Sequence, residues 1–268
     1  MIFAINAIAI SLYLLAAGLQ LGYLLNITQK PQRPLLLSIG LVAVIAHAYS
    51  VINIIYYQQH FDLGFYRASS LIFWFISSIG LVGCLRRPIS NLLVILFPLA
   101  AVSIIASNLS APAIVLQHDF TPGLFSHILT SVLAYSLMSI AALQAVVLGL
   151  QERHLKHHHL GRILKALPPL QTMEQILFEL IWMGMVLLTL SLISGFIFID
   201  DIFAQHLAHK TFFSIFAWCI YAILLWGRHQ LGWRSQTAAR WTIGGFIALM
   251  LSYFGSKLVL ELLLANQG

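Results

Sequence analysis

Long apolar stretches, separated by short polar segments, follow one another along the whole chain. Eight of them are expected to span a membrane, at about residues 2–25, 35–57, 69–85, 91–109, 124–150, 176–199, 211–229 and 241–264. About 20 predominantly apolar residues cross the hydrocarbon core as a helix, which satisfies its own backbone polar groups. The pattern therefore predicts an all-α polytopic membrane bundle, a single transmembrane domain over residues 1–268 with the lipid bilayer around it.

The composition agrees with a membrane protein. Hydrophobic residues make up 60% of the chain and charged residues 8%, whereas a soluble domain carries about 25% charged residues. The net charge of +6 would be compatible with nucleic-acid binding. However, the lysines and arginines lie between the predicted spans, a distribution that sets membrane topology, so no nucleic-acid partner is expected.

The basic residues also assign a direction to the spans. Eleven of the 14 lysines and arginines fall in the connections that follow spans one, three, five and seven. They are Lys30, Arg33, Arg86, Arg87, Arg153, Lys156, Arg162, Lys165, Arg228, Arg234 and Arg240, while the opposite side holds Arg67, Lys210 and Lys257. Since cytoplasmic loops are enriched in Lys and Arg, these four connections are predicted to be cytoplasmic and both termini to face outward.

Two histidines lie inside predicted spans, where an ionisable side chain is costly and is a candidate functional residue. His47 is near the middle of span two, and His127 is near the outward end of span five. A neutral imidazole between apolar helices is a typical axial ligand of haem iron; the alternative is a histidine that hydrogen-bonds a neighbouring helix for packing. Thr130 and Ser131 share the helix face of His127, so this partly polar face should contact protein.

A second pair of histidines, His206 and His209, lies in the outward connection before span seven. If this segment is helical, their i, i+3 spacing lets both side chains approach one metal ion or haem. The alternative is a solvated loop at the membrane edge.

Other reactive side chains indicate no second chemistry. Cys84 and Cys219 form neither a CxxC nor a CxxCH motif, which argues against a thiol oxidoreductase and a c-type cytochrome. The four histidines within residues 154–159 are interleaved with basic residues, which favours a solvated helix extension over a metal site. Because the sequence has no nucleophile–base pair, no paired intramembrane carboxylates and no phosphate loop, an enzyme is not expected.

The last two spans carry side chains that predict close helix packing. Gly244, Ala248 and Ser252 recur at helical spacing in span eight and predict a helix-contact face. Trp218 and Tyr221 form an aromatic stripe on span seven, typical of a core or of a wall beside a flat ligand.

The most specific pattern is HKTFFSIFAWCIYAILLWGRHQLGW at residues 209–233, followed by Arg234. It resembles the Trp/Tyr-rich helix and the Gly-Trp-Arg loop of the cytochrome c assembly family, the CcsA/CcmC-type haem-handling membrane proteins. The segments SHILTSVLAYS and TLSLISGFIF are similar to two further helices of that family. Within the family, the chain most resembles the eight-span inner-membrane branch of YpjD-like and HemX-like proteins.

This resemblance implies a location, a cofactor and its ligands. It implies a multi-pass protein of the bacterial cytoplasmic (inner) membrane that binds haem b. The external histidine of the family corresponds to His127, which would be an axial ligand. His47 would be the second ligand or the ligand of a second site, and His206 or His209 would replace a missing external partner.

The chain also departs from the family pattern. Its outward connection before span seven has no tryptophan and keeps only Lys210 of the family's Trp-Asp-Pro-Lys ending. No histidine follows span eight, and the family's histidine within span seven falls near Trp226. The expected function is therefore haem binding or handling without the haem-presenting loop. The alternative is a non-haem accessory subunit, a homo-oligomer or an assembly partner of another membrane protein or transporter.

Overall fold

The computed structural model describes residues 2–25, 27, 33–57, 60–61, 64–110, 121–156, 166–198 and 205–255. Within these ranges, the side chains of residues 54–61, 205–208 and 254–255 are not described. The chain divides into two compact units, Met1–His118 with Leu160–Pro168, and Asp119–His159 with Pro169–Gly268. The single transmembrane domain expected for residues 1–268 stays a prediction.

The described part of the first unit is built from four long helices. They are α1 (Ile2–Leu24), α2 (Arg33–Ile55), α3 (Phe65–Arg86) and α4 (Leu93–Leu109), with a 3-10 turn at Ser90–Leu92 before α4. Two strands of two residues, β1 (Tyr56–Tyr57) and β2 (His60–Phe61), pair antiparallel between α2 and α3. Each helix packs against two others in the cyclic order α1, α2, α3, α4, so the four enclose one core.

Three polar side chains of α1 are buried in that core. Asn6, Tyr13 and Gln20 are seven residues apart and lie on one face of the helix. They hydrogen-bond Asn108 of α4 at 2.8 Å, His47 of α2 at 3.2 Å and Ser90 of the 3-10 turn at 3.2 Å, respectively. Because lipid offers no hydrogen-bond partner, these contacts tie α1 to its neighbours.

The second unit contains the helices predicted as spans five to eight. They are α5 (Pro122–Lys156), α6 (Leu170–Phe198), α7 (Gln205–Gln230) and α8 (Ser235–Met250), and α8 continues as a π-helical turn, Leu251–Gly255. The helices again pack in cyclic order, and the contact between α5 and α6 is the most extensive. The four helices of this unit thus enclose a second core.

Glycines allow the helices of the second unit to approach closely. A β-carbon at Gly245 of α8 would lie 2.8 Å from the ring of Tyr221 on α7, whereas one at Gly244 would meet nothing within 4 Å. Ala248 and Ser252 are buried, as predicted. The predicted contact face was wrong at Gly244, because adjacent residues point about 100° apart on a helix and Gly245 is the one that faces α7.

Seven helices of the described chain, α1 to α7, have the length and hydropathy of membrane spans. This confirms a polytopic helical membrane protein. The predicted end of span eight, at residue 264, lies outside the described residues. Helices α3, α5 and α7 extend beyond the predicted spans at both ends, and Arg67, predicted to be in a loop, lies in the first turn of α3. Helices continue past the apolar stretch because charged side chains at their ends can face water.

Candidate functional site

His127 lies in the second turn of α5 and is held by α6. Its Nδ1 atom is 2.9 Å from the backbone oxygen of Ser191 and 3.2 Å from the hydroxyl oxygen of Ser194. A carbonyl oxygen can only accept a hydrogen bond, so in the neutral imidazole Nδ1 carries the proton and Nε2 keeps a free lone pair. Nε2 makes no hydrogen bond to any residue that the structure describes. The partly exposed side chain therefore offers one unprotonated nitrogen to a ligand.

The surroundings of His127 fix the ring against α6. A β-carbon at Gly195 would lie 3.0 Å from Cε1 of His127, so the imidazole packs where α6 has no side chain. The hydroxyl group of Ser131 donates to the backbone oxygen of His127 at 2.6 Å and lies 2.6 Å from the hydroxyl oxygen of Ser191. The prediction that this face of α5 contacts protein is confirmed.

His47 lies in the first unit and is fully buried. Its Nδ1 atom is 3.2 Å from the hydroxyl oxygen of Tyr13, and its Nε2 atom is 3.0 Å from the hydroxyl oxygen of Ser70. The rings of Tyr13 and His47 also meet edge to face, with centroids 5.7 Å apart. Both nitrogens are thus engaged, which is the arrangement expected of a histidine that joins helices, and ligation of a metal would require the loss of one hydrogen bond.

The remaining candidate histidines lie near helix ends. His206 and His209 are both in the first two turns of α7, so the segment that contains them is helical. His209 is exposed, and the side chain of His206 lies outside the described residues. Among the described side chains, no three His, Cys, Asp or Glu residues are grouped to hold a metal ion. Of the four histidines within residues 154–159, His154 donates a hydrogen bond to the Leu150 carbonyl at 2.8 Å, and residues 157–159 are outside the described chain.

The structure brings together a buried charge cluster that the sequence did not predict. The carboxylate of Glu174, in the second turn of α6, is buried. Its Oε1 atom is 2.6 Å from Nη1 of Arg228 and 3.7 Å from Nε of Arg234. Its Oε2 atom accepts hydrogen bonds from the backbone N–H and the hydroxyl of Ser235, at 3.3 and 3.2 Å. One carboxylate thus joins the end of α7 and the start of α8 to α6.

The Gly-Trp-Arg loop between α7 and α8 has a structural basis at each position. Gly232 has a φ of +65°, a conformation that glycine adopts without strain. The indole of Trp233 packs against Gly227, where a β-carbon would overlap the ring, and it stacks on Trp241 with centroids 5.2 Å apart. Arg228 donates to the backbone oxygen of Trp233 at 3.1 Å. The motif therefore closes one end of the second unit, around Glu174.

An open cleft of about 1000 Å³ lies beside this cluster. It is lined by one face of the first four turns of α6 together with Arg228, Arg234 and Ser235. The guanidinium carbon of Arg228 is 4.6 Å from the ring centroid of Phe178, which also lines the cleft. The cleft is polar next to Glu174 and apolar further along α6, where Trp182 lines it.

Comparison with known proteins gives concordant matches. The family model described as "Cytochrome C assembly protein" matches residues 35–264. The inner membrane protein YpjD of Escherichia coli is 30% identical over 202 residues, which are 75% of this chain and 76% of YpjD. A 28.8 kDa protein in the nifR3-like 5' region of Azospirillum brasilense is 28% identical over 177 residues, 65% of this chain and 64% of that protein. Protein HemX of Brevibacillus brevis is 23% identical over 134 residues, 49% of each chain.

No solved structure matches the chain significantly. The family model nevertheless covers helices of both units, including His47, His127 and the Gly-Trp-Arg loop. The match to YpjD likewise extends over three quarters of the chain. The chain belongs to the cytochrome c assembly family.

Proposed function

We propose that the chain is a haem-handling protein of the bacterial inner membrane that binds haem b with His127 as an axial ligand. The observation that carries the proposal is the hydrogen bond from Nδ1 of His127 to the Ser191 carbonyl, which leaves Nε2 unprotonated. Metal-ligating histidines usually donate their other ring N–H to a carbonyl or carboxylate, which fixes the tautomer and raises ligand basicity. The family of the chain and the name of YpjD support the location and the class of function.

The residues around His127 fit this role. Gly195 lets the imidazole sit against the α6 backbone, and Ser131 and Ser194 occupy the neighbouring polar groups, so the ring has one orientation. When bound, haem b supplies an iron centre that changes oxidation state by one electron. The chain contributes a fixed imidazole at the outward end of the second unit, in a setting that is partly apolar.

A second axial ligand is proposed from the same unit. His209 is exposed in the second turn of α7, and His206 lies one turn earlier on the same helix. His47 remains a candidate for a separate site, where it would have to release Tyr13 or Ser70 before ligating iron.

The proposed role is binding rather than catalysis. The sequence offers no nucleophile–base pair and no paired intramembrane carboxylates that would support a reaction of its own. It also lacks the tryptophan-rich outward segment that haem-presenting members of the family carry. Handling of haem within the membrane therefore describes the chain better than delivery of haem to an apocytochrome.

An absorption spectrum of the protein purified in mild detergent from haem-replete cells tests the proposal. We expect a Soret band, sharp bands after reduction with dithionite, and close to one haem per chain. His127→Ala should lose most of this haem, because it removes the nitrogen that is proposed to bind the iron. His154→Ala is the matched control, since His154 is on the same helix at its cytoplasmic end, and it should keep the haem.

A folding defect in the His127 variant is distinguished by chemical rescue. His127→Gly, supplied with imidazole, should regain the spectrum if the ring acts as a ligand, and should stay colourless if the helix is merely disrupted. An unchanged haem content in His127→Ala would refute the ligand assignment. A wild-type protein that stays colourless after addition of haem would refute haem binding and would favour the accessory-subunit alternative, which co-purification of a membrane partner would then test.

A further inference from the structure

We propose that the cleft beside Glu174 binds one anionic phospholipid, with its phosphate on Arg234 and an acyl chain along α6. This proposal does not depend on haem, because the cleft lies at the cytoplasmic end of the second unit and His127 lies at the outward end. Three features of the cleft support it: a cation whose donors are available, an apolar stripe that continues the cleft, and a position at the level of the lipid headgroups.

The available cation is Arg234. Nη1 of Arg228 contacts both Glu174 and the Trp233 carbonyl, and its guanidinium lies over the ring of Phe178. Arg234, in contrast, approaches Glu174 only to 3.7 Å, which is too long for a hydrogen bond, and its side chain is 73% exposed. The planar guanidinium can bind a phosphate through two parallel hydrogen bonds. Among the cleft residues that the structure describes, Arg234 is thus the cation whose guanidinium makes no hydrogen bond and can bind an anion.

An apolar stripe continues the cleft along α6. Trp182 and Met183 line the cleft and are 58% and 50% exposed. The exposed face then passes through Val186, Leu190, Ile193 and Ile197. From residue 182 to residue 197 the helix rises about 22 Å, longer than one leaflet, which is about half of a 30 Å hydrocarbon core. A lipid tail can follow this stripe, whereas a free phosphate would leave it unused.

The position of the cleft agrees with a headgroup site. The basic residues assign this end of the unit to the cytoplasm, where the leaflet is rich in anionic lipid. Tryptophan is enriched at the same level of the membrane, as Trp182 would be. Glu179 also lines the cleft and accepts a hydrogen bond from Gln175 at 3.2 Å. The carboxylate of Glu179 would repel a further negative charge on the ligand, which favours a lipid headgroup with one negative charge over a headgroup with two.

Native mass spectrometry of the full-length, delipidated protein tests this inference. The probes are phosphatidylglycerol and phosphatidylcholine with identical acyl chains, added in mild detergent. We expect one phosphatidylglycerol to be retained in preference to phosphatidylcholine. Arg234→Gln should weaken its binding about fivefold, the effect of one arginine near an anionic surface. Arg240→Gln is the matched control, because Arg240 is an exposed arginine of α8 outside the cleft, and it should bind as the wild type does.

A second pair of variants tests the tail. Trp182→Ala should also weaken phosphatidylglycerol binding, whereas Trp226→Ala should not, since Trp226 is equally exposed, at 58%, but lies on α7 outside the cleft. Equal retention of the two lipids, an unchanged Arg234→Gln protein or an equal loss in Arg240→Gln would overturn the proposal. Displacement of the lipid by glycerol phosphate without a tail would assign the cleft to a soluble anion, and displacement by haem would assign it to the haem carboxylates; either result also overturns it.

Discussion

Replacement of Glu174 by glutamine removes the one negative charge that the carboxylate cluster provides, while it keeps the shape of the side chain. The variant leaves Arg228 with its positive charge 2.6 Å from a neutral amide. The amide oxygen can still accept a hydrogen bond from Ser235, so the α8 end of the cluster changes less than the α7 end. The substitution therefore removes the ion pair between α6 and α7, together with the longer contact of Glu174 to the exposed Arg234.

The expected loss of stability follows from the burial of the pair. Removal of one partner from a buried ion pair costs about 3–5 kcal/mol, whereas an exposed pair contributes about 0–1 kcal/mol. The side chain of Glu174 is 11% exposed, but that of Arg228 is 32% exposed and can be partly solvated. We therefore expect Glu174→Gln to lower the free energy of unfolding by about 2 kcal/mol.

Equilibrium unfolding in mixed micelles of a mild detergent and dodecyl sulfate, followed by tryptophan fluorescence, measures this loss. Glu152→Gln is the control, because Glu152 pairs with the exposed Lys156 one turn away at 2.9 Å on the same helix. That variant should lose no more than about 0.5 kcal/mol. The double variant Glu174→Gln with Arg228→Gln should recover part of the loss, since it leaves no unpaired charge.

If Glu174→Gln unfolds at the same denaturant concentration as the wild type, the ion pair does not stabilise the fold. The pair is also refuted if the stability losses of Glu174→Gln and Arg228→Gln simply add in the double variant, because residues that interact directly show coupling of about 0.5–3 kcal/mol. Faster cleavage by trypsin after Arg234 in the Glu174 variant would show in addition that the Gly-Trp-Arg loop has been released.

Two further substitutions test the packing of each unit by the same unfolding measurement. Gly245→Ala places a β-carbon 2.8 Å from the ring of Tyr221 and should cost about 1–3 kcal/mol, while Gly244→Ala, with nothing within 4 Å, should be neutral; equal effects would contradict the helix contact. Tyr13→Phe leaves one nitrogen of its buried histidine partner without a hydrogen bond and should cost about 1–3 kcal/mol, whereas Tyr49→Phe, at an exposed tyrosine, should be neutral; a neutral Tyr13 variant would contradict the hydrogen bond.

The positions of the spans follow from the sequence because lipid imposes a length and an apolar composition on each of them. The ends of the helices do not follow in the same way. Hydropathy marks the thickness of the hydrocarbon layer, but α5 continues to Lys156 and α6 begins at Leu170, where side chains face water. Two adjacent glycines also leave the rotation of a helix undetermined, so the sequence pattern predicts a contact at Gly244 although Gly245 faces Tyr221.

Part of the candidate site could be predicted from the sequence. His127 stood out because a histidine with Ser131 one turn away on an apolar helix must find protein contacts. The hydrogen bond of His127 to Ser191 could not be predicted from the sequence. Its acceptor is a backbone oxygen, which every residue has, so the serine side chain gives no signal for it. Glu174 could be noticed in the sequence as a carboxylate at the edge of an apolar stretch. Its partner Arg228 is on another helix, and a single sequence does not show which helices are in contact.

The three hydrogen bonds of α1 fix the depth and the rotation of this helix among its neighbours. Asn6, Tyr13 and Gln20 extend over about 21 Å of helix, and each reaches a different partner. In a membrane, apolar side chains gain little free energy when they move from lipid to a helix contact. A helix with only apolar side chains could therefore slide or rotate against its neighbours at small cost. A shift of α1 by one residue would turn all three side chains about 100° away from their partners at once. The helix therefore has one depth and one rotation at which it docks, and every intermediate position leaves polar groups without partners in the membrane.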